Sequence, residues 1–253
     1  MELLAEGRMA EVFAYGEGRV VKLDRPEWSG VSAFESDVIT RLAAAGLPVA
    51  RSHGVVTIDG RCGVVLDRVG GRELSGELME AAGEAVTELA RRFVELQCSI
   101  NRTAIDGLPD LVGRLGGELA QSGLPEPLVA ELTDLLAGLD DGRRDVCHFD
   151  FHPLNVMADG PDWVVIDWLT VASGPPLADL ARTLVLWGQQ SATPVPAFMR
   201  AVRRLGLARR EADDATCDRW VRVVAGARRA EGFEGAPAAW LGLVAAGEIR
   251  LFA

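Results

Sequence analysis

The residues of this chain that could do chemistry crowd into one stretch. Cys147-His148-Phe149-Asp150-Phe151-His152-Pro153-Leu154-Asn155-Val156 holds two of the three histidines, and Val165-Ile166-Asp167-Trp168 follows it. A loop carrying His, Asp, His and Asn between apolar runs is a poor place for core packing, because each polar group there must be bonded to something. Asn155 lies five residues after Asp150, His148 two before it, and Asp167 twelve beyond Asn155. Phosphoryl transfer needs parts of this kind: a base for the acceptor hydroxyl, hard oxygen ligands for Mg²⁺, and a cation on the phosphates. Asp150 can be the base, and Asn155 and Asp167 can be the oxygen ligands. Of the 26 basic residues 25 are Arg and one is Lys, at position 22. A compact ammonium is a different tool from a planar guanidinium, so the lone lysine is the candidate cation.

These residues need elements to position them. In residues 1–70, Val12-Phe13-Ala14-Tyr15 and Arg19-Val20-Val21-Lys22-Leu23 flank Gly16-Glu17-Gly18, and Val55-Val56-Thr57-Ile58 and Cys62-Gly63-Val64-Val65-Leu66 flank Asp59-Gly60. Both patterns predict hairpins. Between them Phe34, Val38, Leu42 and Ala45 recur at three- and four-residue spacing, predicting a helix from about Ser32 to Ala45 that Gly46 and Pro48 stop. After Gly70-Gly71 the chain turns mainly helical. Val86 to Ile100 and Leu128 to Leu139 mark amphipathic helices, Val146-Cys147 and Trp163-Val164-Val165-Ile166 mark short strands, and further helices are expected from Pro176 onward. The boundary falls near Gly70.

Composition narrows the classes. The 253 residues allow one large domain or two small ones, and a hydrophobic share of 49% supports a core and excludes a disordered chain. The excess of 37 acidic over 26 basic residues, a net charge of -11, argues against a nucleic-acid partner. No apolar run approaches the roughly 20 residues that span a bilayer, so no membrane partner is expected. The acids in the N-terminal stretch argue against a signal peptide, and Cys62, Cys98, Cys147 and Cys217 occur without any C-x-x-C, as reduced thiols of a cytoplasmic protein would. Three other readings stand beside phosphoryl transfer. Asp150 and Asn155 could be turn formers. His148, Asp150 and His152, with Asp167, could serve a metal-dependent hydrolase, although Pro153 points to a loop and that reading leaves Lys22 unexplained. The chain could also be a nucleotide-binding pseudokinase.

The spacing of His148, Asp150 and Asn155 is that of the kinase catalytic loop, H-x-D-x-x-x-x-N. With it, the stretches Glu6-Gly7-Arg8-Met9-Ala10-Glu11-Val12-Phe13, Val20-Val21-Lys22-Leu23, Ala44-Ala45-Gly46-Leu47-Pro48-Val49, Val165-Ile166-Asp167-Trp168 and Gly174-Pro175-Pro176-Leu177-Ala178-Asp179-Leu180-Ala181-Arg182-Thr183 resemble the aminoglycoside phosphotransferase family. The resemblance spans most of residues 6–183. It departs from the family pattern at Phe149 and Leu154, where small residues are usual, and at the single Gly7. It implies an α+β, bilobal, protein-kinase-like fold: an N-terminal nucleotide-binding lobe over 1–70, with a small antiparallel sheet and one helix, and a mainly helical lobe over 71–253 with the catalytic loop and acceptor site. It further implies a small-molecule kinase using ATP or GTP and Mg²⁺, with an alcohol acceptor. An aminoglycoside, a macrolide or other antibiotic, a choline-like compound and a sugar amine all stay open, and antibiotic resistance is one role such an enzyme has. By the same resemblance Asp150 is the catalytic base, Asn155 and Asp167 hold the metal, and Lys22 contacts the phosphates. Glu35 pairs with Lys22, although Ser32 to Glu35 also reads as a capping box. Leu66, Asp67, Arg68 and Val69 form the hinge at the nucleobase, Asp179 braces the catalytic loop, and His148 is architectural. Glu231, Glu234 and Glu248 could meet a cationic substrate, or simply line a solvated helix face.

Overall fold

In chain order the strands are β1 (Leu3–Glu6), β2 (Ala10–Ala14), β3 (Arg19–Asp24), β4 (Ser52–Ile58), β5 (Arg61–Asp67), β6 (Arg72–Glu73), β7 (Asp145–Cys147), β8 (Val156–Asp159), β9 (Asp162–Val165) and β10 (Ala172–Gly174). The helices are α1 (Val31–Ala44), α2 (Leu74–Glu80), α3 (Glu84–Ile100), α4 (Leu111–Ala120), α5 (Glu126–Leu139), α6 (Pro176–Trp187), α7 (Val195–Arg210), α8 (Asp214–Arg228) and α9 (Gly235–Ala246). The computed structural model describes residues 1–159 and 162–252. Two compact units emerge: Met1–Leu74 with Pro153–Thr170, and Ser75–His152 with Val171–Ala253.

In the first unit the two expected hairpins join one antiparallel sheet, in the order β1-β2-β3-β5-β4. Asp59 and Gly60 both take positive φ, 50° and 79°, as a two-residue turn between right-twisting strands requires. Strand β1 is an element that the sequence reading did not single out; its four residues are all exposed, so no burial pattern marks it. Alternation along β3 buries Val21 and Leu23 with Val65, against Phe13, Tyr15, Val56 and Ile58, and turns Lys22 to the opposite face. There α1 packs on the sheet, burying Glu35, Val38, Ile39 and Leu42. Gly63 sits opposite Leu23 in the ladder, where a Cβ would come within 2.9 Å of the Lys22 carbonyl oxygen, so only glycine allows that approach. Ser32 lies inside α1 rather than at its cap, and Gly30 holds the cap position. The Asp24 carboxylate serves the helix start instead, accepting from the Gly30 N–H at 2.9 Å and the Ser32 N–H at 3.3 Å, and from the Ser32 hydroxyl.

Strands β6, β8 and β9 form a second small sheet of this unit. The Val165 N–H donates to the Pro48 carbonyl oxygen at 2.8 Å, tying β9 to the turn after α1.

The second unit is mostly helical. Phe93 of α3 and Phe198 of α7 pack ring to ring at 5.5 Å, and Phe151 lies 4.4 Å from Phe93. Helix α8 buries Cys217, Trp220, Val221 and the run Val223 to Ala227. Helix α4, missed in the sequence, carries Leu111, Leu115 and Leu119 on its buried face, but Gly113, Gly116 and Gly117 mask the pattern. The β7–β10 ribbon pairs Cys147 with Ala172 and delivers the chain into the His148–His152 loop.

Candidate active site

The first unit assembles three of the charged residues singled out in the sequence. Lys22 Nζ lies 2.9 Å from Glu35 Oε1 and 2.8 Å from Asp167 Oδ1. Glu35 is buried, Lys22 nearly so, and the Asp167 side chain is 39% exposed, so the cluster opens to solvent on the Asp167 side. Burial alone would lower the Lys22 pKa, but the two carboxylates outweigh it and hold the ammonium above the ordinary lysine range. Burial raises the Glu35 carboxyl, and Lys22 opposes that shift. The Trp168 backbone N–H also bonds the Glu35 carboxylate. Trp168 is wholly buried, and its indole N–H donates to the Val165 carbonyl oxygen at 3.0 Å. Anchored this way, the chain turns at Asp167 with a positive φ of 62°, a costly geometry for a non-glycine residue that aims the carboxylate at Lys22.

Asn155 precedes β8. The ladder pairs Val156 with Val165, and the Ile166 N–H donates to the Asn155 carbonyl oxygen at 3.0 Å. Asn155 and Asp167 therefore share one end of the β8–β9 hairpin. Asn155 is buried, while Leu154, just before it, is exposed. In the Leu66–Val69 segment, Leu66 pairs with Val20 and Ser52. The Asp67 N–H donates to the Arg51 carbonyl oxygen at 3.0 Å and the Arg68 N–H to that of Gly18 at 2.9 Å. The Asp67 carboxylate meets His53 Nε2 at 2.6 Å.

The second unit holds Asp150. The Asp150 N–H donates to His148 Nδ1 at 3.1 Å, so that nitrogen is the acceptor and the buried His148 ring carries its proton on Nε2. Phe149 has φ 61°, and both its backbone groups are held: its N–H donates to Asp179 Oδ1 at 2.8 Å and its carbonyl accepts from Arg182 Nε at 3.2 Å. Its ring lies between two guanidiniums, 4.6 Å from Arg114 and 5.2 Å from Arg182, which is how a bulky residue is accommodated in this loop. Asp179 Oδ2 accepts from Asn101 at 3.0 Å and Gln97 at 3.2 Å, and Arg210 donates to the oxygens of both amides. Burial would raise the Asp150 pKa, but a hydrogen bond from His152 and the charges of His152 and Arg182 outweigh it and hold the carboxyl well below the usual range. The His152 Nε2 lies 3.5 Å from Asp150 Oδ2.

Sequence reasoning missed Arg182, Arg210, Asn101 and Gln97. Arg182 follows Asp179 by three residues on α6, so the helical period could have shown it facing the same loop. No local signal marks Asn101 or Gln97, whose partner lies about 80 positions on. Among the described residues no three His, Cys, Asp or Glu side chains converge to hold a metal ion. His148 Nδ1 already accepts from the Asp150 N–H, and the Asp167 carboxylate already pairs with Lys22.

Comparison with solved structures places this geometry in a known fold. A thermostable mutant of aminoglycoside phosphotransferase APH(4)-Ia, in ternary complex with AMP-PNP and hygromycin B, is 17% identical with a TM-score of 0.69, over 97% of this chain and 91% of that one. The amicoumacin kinase hAmiN, in complex with AMP-PNP, Ca²⁺ and Ami, is 15% identical with a TM-score of 0.66, over 96% and 85%. An aminoglycoside-3'-phosphotransferase of type VIII is 19% identical with a TM-score of 0.63, over 89% and 91%. The fold is that of the aminoglycoside kinases, α+β and protein-kinase-like. The model of the phosphotransferase enzyme family matches residues 1–225, and the chain belongs to that family. No curated protein matches the chain.

Proposed function

We propose that this protein transfers the γ-phosphoryl group of ATP or GTP to a hydroxyl of a small molecule, antibiotics being one class of such acceptors. The observation that carries the reading is Lys22 held between Glu35 and Asp167 at 2.9 and 2.8 Å, a cation presented to phosphates by two carboxylates. The complexes of similar fold, with AMP-PNP beside hygromycin B or Ami, support a nucleotide and a small acceptor.

In this reading residues 1–70 bind the nucleotide, and residues 71–253 carry the catalytic loop and the acceptor site. Lys22 contacts the phosphates and Glu35 orients it. In the hinge segment the Asp67 and Arg68 N–H groups already have partners, so the base contact falls to the Val69 N–H and to carbonyl oxygens of Leu66 to Val69. Asn155 and Asp167 fit Mg²⁺: two hard oxygen donors at one hairpin end leave the remaining positions to phosphates and water, as Mg²⁺ sites in kinases do. When bound, the ion would neutralise charge on the phosphate oxygens. Asp150 faces the acceptor. A carboxylate held this acidic stays ionised and chiefly orients the hydroxyl. It takes the proton as the acceptor oxygen forms its bond to phosphorus, the bond to the β-phosphate oxygen breaks, and the nucleoside diphosphate leaves. Asp179, Arg182 and the Asn101–Gln97–Arg210 network position the loop through the backbone of Phe149. The four free thiols support a cytoplasmic setting. Among the described residues no helix is long and apolar enough to cross a membrane.

The pseudokinase reading is disfavoured by the complete set Lys22, Glu35, Asp150, Asn155 and Asp167. The experiment is a turnover screen over hydroxyl-bearing compounds with ATP and with GTP, reading diphosphate release. Acceptor-dependent release supports the proposal. Nucleotide binding without release for any compound favours the pseudokinase, and no nucleotide binding overturns both.

A further inference from the structure

Two guanidiniums touch the loop that carries Asp150, and a third shares a carboxylate with one of them. Arg182 donates to the Phe149 carbonyl and pairs with Glu231 Oε1 at 2.6 Å. Arg114 lies over the Phe149 ring and 3.8 Å from Glu118. Arg228, on the last turn of α8, stands 3.4 Å from Glu231 Oε2 and over the Phe233 ring at 5.0 Å. Glu231 is thus shared by two arginines, and Glu118 is turned to a third. Both carboxylates already face arginines.

Arg228 is under-compensated. Its side chain is only 17% exposed, and its buried Nε has the 3.4 Å ion pair with Glu231 but no hydrogen bond among the described residues. A guanidinium that gives up water needs charged acceptors in return. Burial and the neighbouring Arg182 charge push its pKa down to about 10, against partial support from Glu231 and Asp150. Glu231, shared with Arg182, is one anionic partner, and a second anion would complete the compensation. The balance shifts further the same way during turnover: as Asp150 takes up the hydroxyl proton it loses its charge, and the arginines are left in excess.

We propose that the acceptor carries an oxyanion, a carboxylate or a phosphate, and that Arg228 receives it while the acceptor hydroxyl meets Asp150. This rests on the phosphotransferase reading and narrows its acceptor class. A planar guanidinium suits such a group because it can donate two parallel hydrogen bonds. Polycationic acceptors are selected against by the same charges that bind the oxyanion.

The test uses three compounds of one carbon skeleton: glycerate, glycerol and 3-amino-1,2-propanediol, that is anion, neutral and cation. Each is titrated into the full-length protein at fixed ionic strength, reading thermal stabilisation, and each is then offered as acceptor with ATP, reading ADP. Glycerate should bind best, and Arg228→Gln should weaken it roughly ten- to a hundredfold, as loss of a charge-assisted hydrogen bond does. Arg228→Lys, which keeps the charge and loses the fork, should fall between, and AMP-PNP affinity should be unchanged in both variants. The inference is overturned if glycerate does not bind, if the amino diol binds as well as glycerate, or if glycerate affinity is unchanged in Arg228→Gln. Failure of the phosphotransferase reading looks different: glycerate binds in an Arg228-dependent way, yet no hydroxyl compound releases ADP.

Discussion

The lysine cluster and the Asp150 loop solve the same problem, holding a charged group ready, in opposite ways. Around Lys22 each charge touches another proposed functional charge: Glu35 and Asp167 hold the ammonium directly. Around Asp150 the positioning falls largely on groups with no proposed chemical role. Asp179 and Arg182 grip the backbone of Phe149, and Asn101, Gln97 and Arg210 grip Asp179. Side chains that hold one another can be rearranged by a ligand, since a phosphate can replace a carboxylate at the ammonium. A backbone clamped by a buried network keeps one geometry. The first region is built to exchange partners and the second to stay still.

Five substitutions break or sharpen that contrast. The largest loss of rate is expected at Asp150. Asp150→Asn should lower turnover by roughly 10²–10⁴-fold and leave nucleotide affinity nearly unchanged, because it removes the base and little else. Steady-state kinetics and nucleotide titration check it, and a near-normal kcat with the true acceptor would contradict the role. Next, Asp179→Ala strands the buried Phe149 N–H and takes one acceptor from each of the Asn101 and Gln97 amides, so it should cost about 3–5 kcal/mol of stability as well as activity. Denaturant unfolding reads the first and kcat the second.

The lysine cluster should respond differently. Lys22→Arg should fold normally and lose most of its activity, with Glu35→Gln showing a smaller loss. The two should be non-additive by about 0.5–3 kcal/mol, since contacting residues couple. Additive effects would mean that the 2.9 Å contact does not matter to function. The smallest effect is a shift rather than a loss. His152 helps to hold Asp150 acidic, and the base works ionised, so activity falls as pH drops through its pKa. The acid limb of the wild-type profile from this group therefore lies below the ordinary carboxylate range. In His152→Gln burial is less opposed, the Asp150 pKa rises, and the limb should move to higher pH in a pH–rate profile.

The same contrast explains what could be read from the sequence. Lys22 stood out as the one lysine of an arginine-rich chain, and Asp150 and Asn155 stood out by spacing. Local signals also marked the hairpins and α1, because alternation and the Asp-Gly turn act over a few residues. The supports of the Asp150 loop were illegible for the opposite reason. Gln97 and Asn101 sit at the end of a long amphipathic helix and meet Asp179 about 80 residues later, a pairing that only tertiary packing makes. Strand β8 was hidden in the polar loop, and β1 by its complete exposure. The Ser32–Glu35 capping pattern pointed to a helix start, but Asp24 supplies the acceptor there and leaves Glu35 to Lys22.

The single lysine allows a direct test of the central claim, that Lys22 is the phosphate-contacting cation. Protein labelled with ¹³C at lysine Cε gives one lysine side-chain resonance, assigned without a mutant. In the free protein it should keep its charged-state position as pH rises past the ordinary lysine value of 10.5, because Glu35 and Asp167 outweigh the effect of burial. Titration with AMP-PNP and Mg²⁺ at neutral pH should move it in a saturable way as phosphates replace the Asp167 contact. A resonance that does not move while nucleotide demonstrably binds would place Lys22 outside the phosphate site and contradict the account.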